Sequence, residues 1–265
     1  MAADRHAVRL RPEQSAESEP DDRQALRCLI SVSGDYSYIV SSILSGLGVT
    51  IAATLGGIAL TIVLAFLAGL GMLSPRPSVR AVSRVYVEIF RGTSEVVQLF
   101  WLYFVLPALV GLKLIPLFAG VLVLGFNHGA YGAEIVRGAV QSVPKAQREG
   151  AIALSFSPVQ RMFRVLLPQA VVEMYPPFNN LFIQLLKSTA LLYFVSAGEI
   201  TEKGELLRPV YGSNLVFIYG VELVCYLVLA ILITLVMRFL ERRGARRLGR
   251  APVKRKFFAS TAEVS

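Results

Sequence analysis

The sequence predicts an all-α integral membrane protein of about five transmembrane helices carrying one cytoplasmic helix-turn-helix. Three observations predict it. The 265-residue chain is 54% hydrophobic with a mean hydropathy of +0.58, too apolar for an ordinary soluble domain. Its middle holds several uncharged apolar runs near the length of about 20 residues that a helix needs to cross a bilayer. Between two of them lies a compact basic hairpin, REGAIALSFSPVQRMFRVLLPQA, from Arg148 to Ala170.

Residues 1–36 form a polar segment of mixed charge, with Arg5, Arg9, Arg11, Arg23 and Arg27 against Asp4, Glu13, Glu17, Glu19, Asp21 and Asp22. No apolar stretch follows a basic start, so the pattern is not that of a cleaved signal peptide, and the segment is expected to be disordered. The membrane domain is expected over 37–241. No charge interrupts Tyr36 to Pro75, and a single tilted span is expected at about 43–73, with Pro75 and Pro77 ending it. A second is expected at 92–112, containing Trp101 and Tyr103, and a third at 114–138 after Lys113 and Pro116. The fourth, 174–198, is interrupted by Lys187; the fifth, 214–240, by Glu222. Residues 242–265 form a basic tail.

Lys and Arg concentrate in the loop after span one (Arg76, Arg80, Arg84, Arg91), in the loop after span three (Lys145, Arg148, Arg161, Arg164) and beyond span five. Cytoplasmic loops hold such excess, so the amino terminus is expected outside and the carboxyl terminus inside. The net charge of +9 then belongs to topology and to anionic lipid rather than to nucleic acid. The hairpin falls on the cytoplasmic side, over about 144–168. Pro144 suits the first turn of a helix reaching about Leu154. Ser157, Pro158 and Gln160 have the form of a capping box, and Pro168 is expected to close the second helix. Ile152, Leu154, Phe156, Val159, Met162, Phe163 and Leu166 are more apolar surface than a solvated hairpin carries, so part packs on the bundle and the rest is open to a partner.

Ionisable groups inside spans are costly and mark function or pairing. Asn180, Gln184 and Lys187 share one helical face; with Glu222 they are the candidate translocation path. Lys187 has a second reading, as a lysine reaching along its stem to an interface. Glu134 with Arg137, and Glu88 with Arg91, have the i, i+3 spacing of structural ion pairs. Asn127-His128 lies in span three, and His128 reads as a hydrogen-bonded core residue: no Cys or carboxylate cluster accompanies it, so no metal site is expected. Cys28 and Cys225 do not read as a disulfide. Ala52/Gly56, Ala53/Gly57 and Ala65/Gly69 allow close helix packing.

The hairpin resembles the EAA loop of permease subunits in bacterial ATP-binding-cassette importers. It aligns Glu149, Gly150, Ala151, Ser155, Val165, Leu167 and Pro168 with that pattern at matching spacing. Gly150 stands for the second-position Ala, and Ser155 for the turn Gly. Phe90-Arg91-Gly92-Thr93, Val97-Gln98-Leu99, Gly129 to Gly138 and Leu186 to Leu191 resemble the polar amino-acid branch; Thr93 to Trp101 is similar to permeases for ectoine and hydroxyectoine. The resemblance implies the type I importer permease fold in a bacterial inner membrane. It implies coupling to a separate ATPase through Glu149, Gly150, Ala151, Ile152, Leu154, Ser155, Phe156, Ser157, Pro158, Leu167 and Pro168. It also implies three kinds of partner: two copies of an ATP-binding subunit that holds ATP and Mg, a second permease (the same chain or a sister), and an extracytoplasmic solute-binding protein. This chain is expected to bind no cofactor and not to be an enzyme. Lys187-Ser188-Thr189 imitates the end of a phosphate-binding loop, but Leu181 and Leu186 occupy the glycine positions.

Two other functions compete. An intramembrane enzyme lacks material, with histidines only at His6 and His128. An ATP-independent channel or carrier for a small polar solute has uses for Lys187 and Glu222, but leaves the hairpin unexplained.

Overall fold

The computed structural model describes residues 36–111 and 113–247, so the expectations for the amino-terminal segment, for Cys28 and for residues beyond 247 lie outside the described residues. Eight helical elements make up the described chain, with no strand among the described residues. They are α1 (Tyr36–Met72), α2 (Pro77–Gly92), α3 (Glu95–Val110), α4 (Pro116–Ser142), α5 (Lys145–Ala153), α6 (Pro158–Val195), α7 (Ile200–Leu207) and α8 (Leu215–Arg247). By length and composition two of them, α1 and the helix holding α8, can cross a membrane, or up to four if α2 with α3 and α6 with α7 each make one bent span. The helix α4 is not in that set; Asn127, His128, Glu134 and Arg137 lower its hydropathy, and its neighbours bury it.

The bundle is organised around α4. One face of α1 is lined by Thr50, Ala53, Thr54, Gly57, Thr61, Ala65, Ala68 and Gly69, all buried, and α4 lies along it. These small side chains let the two backbones approach, because packing rather than hydrophobicity holds helices together in lipid. A Cβ on Gly69 would sit 2.7 Å from the Ala133 carbonyl oxygen and 2.7 Å from Val136 Cβ. On the α4 side, Gly125 and Gly132 receive Leu60 and Ala65 in the same way. A cluster of Val136, Val140, Leu166, Met174, Phe178 and Met237 then joins α4 to α6 and α8.

Three helices extend past, or bend at, the bounds expected for the spans. The helix α1 is already formed at Tyr36, the first described residue, ahead of the span expected from about 43; Ile39 and Ile43 are buried with Ile200, Leu207 and Ile218 and hold these lead-in turns. At the start of the second expected span α2 and α3 meet at 102°, the geometry of a bent span or a re-entrant loop. The helix α8 runs to Arg247, past the expected boundary at 241, since Gly244 fits against Tyr175 and Ala245 is buried.

Gly69→Ala is expected to lower the apparent unfolding temperature in detergent, overpacking of this kind costing about 1–3 kcal/mol. Gly48→Ala, whose Cβ meets nothing within 4 Å, is the control and is expected to leave that temperature unchanged or slightly raised.

Candidate coupling site and polar groups of the bundle

The hairpin is built as a tight elbow. Pro144 caps α5, which ends at Leu154, where the Leu154 N–H donates to the Gly150 carbonyl at 3.0 Å. Ser155 N–H and Phe156 N–H donate back to Ile152 and Ala151 at 2.8 and 3.1 Å. This wrapping forces Ser155 to φ +55°, the left-handed region that glycine occupies freely. Ser157 then opens α6 with both bonds of a capping box: its hydroxyl accepts from Gln160 N–H at 3.3 Å, and its own N–H donates to the Gln160 side chain at 3.0 Å.

Pro168 does not close the second arm of the hairpin. The helix continues through it to Val195 because Arg161–Leu166 is a wide π turn, in which Leu167 N–H bonds back to Met162. A widened turn moves the carbonyl that a proline ring would strike and accommodates the missing N–H. The same device precedes Pro107, where Trp101–Val105 is a π turn and Leu106 N–H bonds to Trp101. The hairpin's second arm and the core helix α6 are therefore one rod.

On this elbow Glu149, Gly150, Ser155, Ser157 and Pro158 are exposed, and Ile152, Leu154, Val159 and Phe163 are each more than half exposed. Phe156 and Leu167 are half-buried, Pro168 is exposed, and Ala151 is buried at the root. The result is a knob with an apolar tip and one carboxylate, rooted in the bundle.

The charged pairs arrange themselves differently from their spacing. Arg137 does bond Glu134, through Nε and Nη2 at 2.7 Å each. Arg91, however, does not pair with Glu88. It reaches across to Glu134 at 3.6 Å and lies over the Tyr131 ring at 5.1 Å. The bend after Gly92 turns Arg91 toward α4, and a half-buried carboxylate between helices outcompetes an exposed one on the same helix, where such pairs contribute only about 0.2–0.5 kcal/mol. Together Arg84, Glu88, Arg91, Tyr131, Glu134 and Arg137 border a cleft of about 570 Å³.

Asn180, Gln184 and Lys187 lie on one exposed face of α6. Glu222 does not join them. It sits on α8, buried, with its carboxylate against Gly204 of α7 and Oε1 without a partner. His128 is fully buried; Nδ1 lies 3.1 Å from the Leu124 carbonyl and Nε2 lies 3.9 Å from Glu95 of α3.

Sequence reasoning missed the groups that close the helix breaks. At the 102° bend, the Phe90 carbonyl accepts from Gln98 Nε2 at 3.1 Å and from Asn127 Nδ2 at 2.8 Å. Gln98 Nε2 also donates to Thr93 Oγ1 at 2.7 Å. The signal was present: Gly92-Thr93-Ser94-Glu95 is a breaker followed by a helix-start pattern. Glu199 caps α7, accepting from Thr201 and Glu202 N–H at 2.9 and 2.8 Å and from the Tyr226 hydroxyl at 3.0 Å. Ile200 N–H donates to Thr50 Oγ1 on α1 at 3.2 Å.

A helical bundle with a rooted, exposed knob can be matched to known proteins. Residues 61–246 match the family described as the inner membrane component of binding-protein-dependent transport systems. The chain belongs to that family. A probable amino-acid ABC transporter permease of Sinorhizobium fredii is 45% identical over 212 residues, covering 76% of this chain and 89% of the relative. The glutamine transport system permease of Escherichia coli is 34% identical over 204 residues, covering 76% and 92%. Among solved structures, an amino acid ABC transporter crystallised with histidines superposes with a TM-score of 0.66 at 26% identity, over 81% of this chain and 97% of that one. The inward-facing MetNI methionine ABC transporter shares the fold, with a TM-score of 0.66 at 23% identity over 77% and 96%. The permease therefore has the type I importer fold and is a multi-pass inner-membrane protein of the polar amino-acid branch.

Two substitutions probe this geometry. Ser155→Gly removes a left-handed strain of about 1–2 kcal/mol and adds about 0.5–1 kcal/mol of chain entropy on unfolding. The net is a firmer turn, expected as slower amide exchange over 150–158. Asn127→Leu leaves the Phe90 carbonyl with one donor in place of two and is expected to destabilise the bend by about 1 kcal/mol, read as a lower apparent unfolding temperature.

Proposed function

We propose that this permease is the membrane-spanning subunit of an ATP-driven importer of a polar amino acid or a related small zwitterion such as ectoine. A separate ATPase drives it through the Glu149–Pro158 elbow. The single observation that carries this reading is the knob: an apolar tip and a carboxylate left open at the end of a rigid hairpin that is continuous with a core helix. An unpartnered apolar surface of this kind needs a docking partner. An ATP-independent carrier has no use for it.

The rest follows from that docking. Ile152, Leu154 and Phe156 fill an apolar groove of the ATP-binding subunit, and Glu149 meets a basic group there. Two such subunits hold ATP and Mg, and this chain hydrolyses nothing. The basic loops support a cytoplasmic hairpin and carboxyl terminus and an outside amino terminus. Five crossings, with α4 as the central one, do not enclose a path. A second permease, the same chain or a sister, completes it around the Asn180, Gln184 and Lys187 face. The solute arrives on an external binding protein. The cleft bordered by Arg91, Arg137, Glu88 and Glu134 offers charges of both signs, which suits a molecule carrying both. Glu134–Arg137 is at the same time a structural pair.

In sealed vesicles carrying the permease, its ATPase and its binding protein, uptake is expected only with ATP. Glu149→Lys is expected to reduce that uptake at least tenfold while membrane insertion stays normal, measured by radiolabelled solute and by quantitative blotting of the membrane fraction. Uptake driven by an ion gradient through this chain alone would falsify the proposal.

A further inference from the structure

The hairpin meets the bundle at two roots, and they are built differently. Its second arm is α6 itself, one rod from Pro158 to Val195. Its first arm, α5, joins α4 only through Val143 and Pro144, a two-residue joint with extended backbone at Val143. A bare joint of that kind swings. Here it is bridged: Arg148 on α5 folds back over it, and its Nη2 donates to the carbonyls of Val140 at 2.8 Å and Gln141 at 3.2 Å, in the last turn of α4.

Those carbonyls are among the four that a helix leaves without partners at its carboxyl end. A guanidinium there forms charge-assisted bonds and complements the negative end of the helix dipole. Nε of Arg148 is buried without a hydrogen-bond partner and the residue as a whole is half-buried, so the guanidinium lies against the joint with one edge open. Below it, Val143 and Ala151 are buried and close the same corner.

We infer that Arg148 is the positioning residue that makes α4 follow the hairpin. This rests on the coupling reading given above. The elbow then drives two helices at once. It moves α6, with Asn180, Gln184 and Lys187, by covalent continuity. It moves α4, with Glu134 and Arg137 one to two turns beyond the bonded carbonyls, through the guanidinium bridge. Without the bridge the ATPase displaces α6 alone, and the two walls of the path no longer move together.

The test uses the assembled complex in proteoliposomes, with ATP hydrolysis and solute uptake measured in parallel. In Arg148→Met, which keeps the apolar stem and removes the donors, uptake is expected to fall at least tenfold while hydrolysis stimulated by the loaded binding protein stays within about twofold of wild type. Arg148→Lys keeps a donor and the charge, and is expected to recover most of the uptake. Wild-type uptake in Arg148→Met overturns the inference. So does a parallel fall of uptake and hydrolysis, which marks a merely structural residue. If Arg148→Met does not assemble, Arg148→Leu, which also has no donor, takes its place with the same outcomes. The coupling reading is judged separately by Glu149→Lys: unchanged uptake in that variant sinks the reading itself, whatever Arg148 does.

Discussion

The constraint on which the structure depends is that a backbone polar group inside a bilayer has no water to bond, so each interruption of a helix has to be closed by another part of the protein. This chain interrupts its helices often and closes the breaks with side chains from elsewhere. Gln98 and Asn127 hold the Phe90 carbonyl at the bend between α2 and α3. Thr50 and Glu199 hold the N–H groups at the start of α7. Arg148 holds the carbonyls at the end of α4. Each closing group ties two elements together, so the breaks are fixed joints rather than flexible points. The close approach of α1 to α4 serves the same end, since the small residues between them bring the donors within reach.

Much of the fold was legible because its signals are local. Apolar run length located the long helices. Pro144, the Ser157–Gln160 box and the four residues between the arms located the elbow, and the family resemblance rested on the same residues. What was not legible depends on partners distant in sequence. Nothing near Pro168 announces a π turn, because a proline read alone predicts a stop. Glu88 and Arg91 have the right spacing for a pair, but Glu134, 43 positions beyond Arg91, is the acid that Arg91 meets. Glu222 and Lys187 look alike in a hydropathy trace, yet one is packed against Gly204 and the other faces outward. The polar stripe on α6 was legible, because helical period alone puts Asn180, Gln184 and Lys187 on one face.

The left-handed serine at the tip shows how the elbow holds a strained conformation in place. Ser155 is held at φ +55° by three backbone bonds around it and by the capping box that follows. A strained conformation persists only when its surroundings over-determine it. A glycine at that position relaxes the strain in the folded turn but gives the chain more freedom when the turn opens. The serine does the reverse: it costs folded stability and narrows the alternatives. The strain is the larger of the two, so the serine turn opens more readily than a glycine turn.

Placement of charge completes the argument. The exposed polar face of α6 and the apolar tip of the elbow are both surfaces that a single chain leaves uncovered, and they are uncovered for opposite reasons. In a bilayer Asn180, Gln184 and Lys187 cannot face lipid without several kcal/mol of cost, about 2.5–3.5 kcal/mol for a central lysine alone. Outside the bilayer Ile152, Leu154, Val159 and Phe163 cannot face water without forgoing burial worth about 1.5–3 kcal/mol each. One surface calls for water or a second permease, the other for an apolar groove. Val159 and Phe163 of the tip and the polar face sit at different points along the same rod, α6 from Pro158 to Val195, with Pro168 between them. On the proposed function, a rod whose two ends demand different partners transmits what happens at one end to the other, and the inferred bridge from α5 to α4 keeps the neighbouring wall in step.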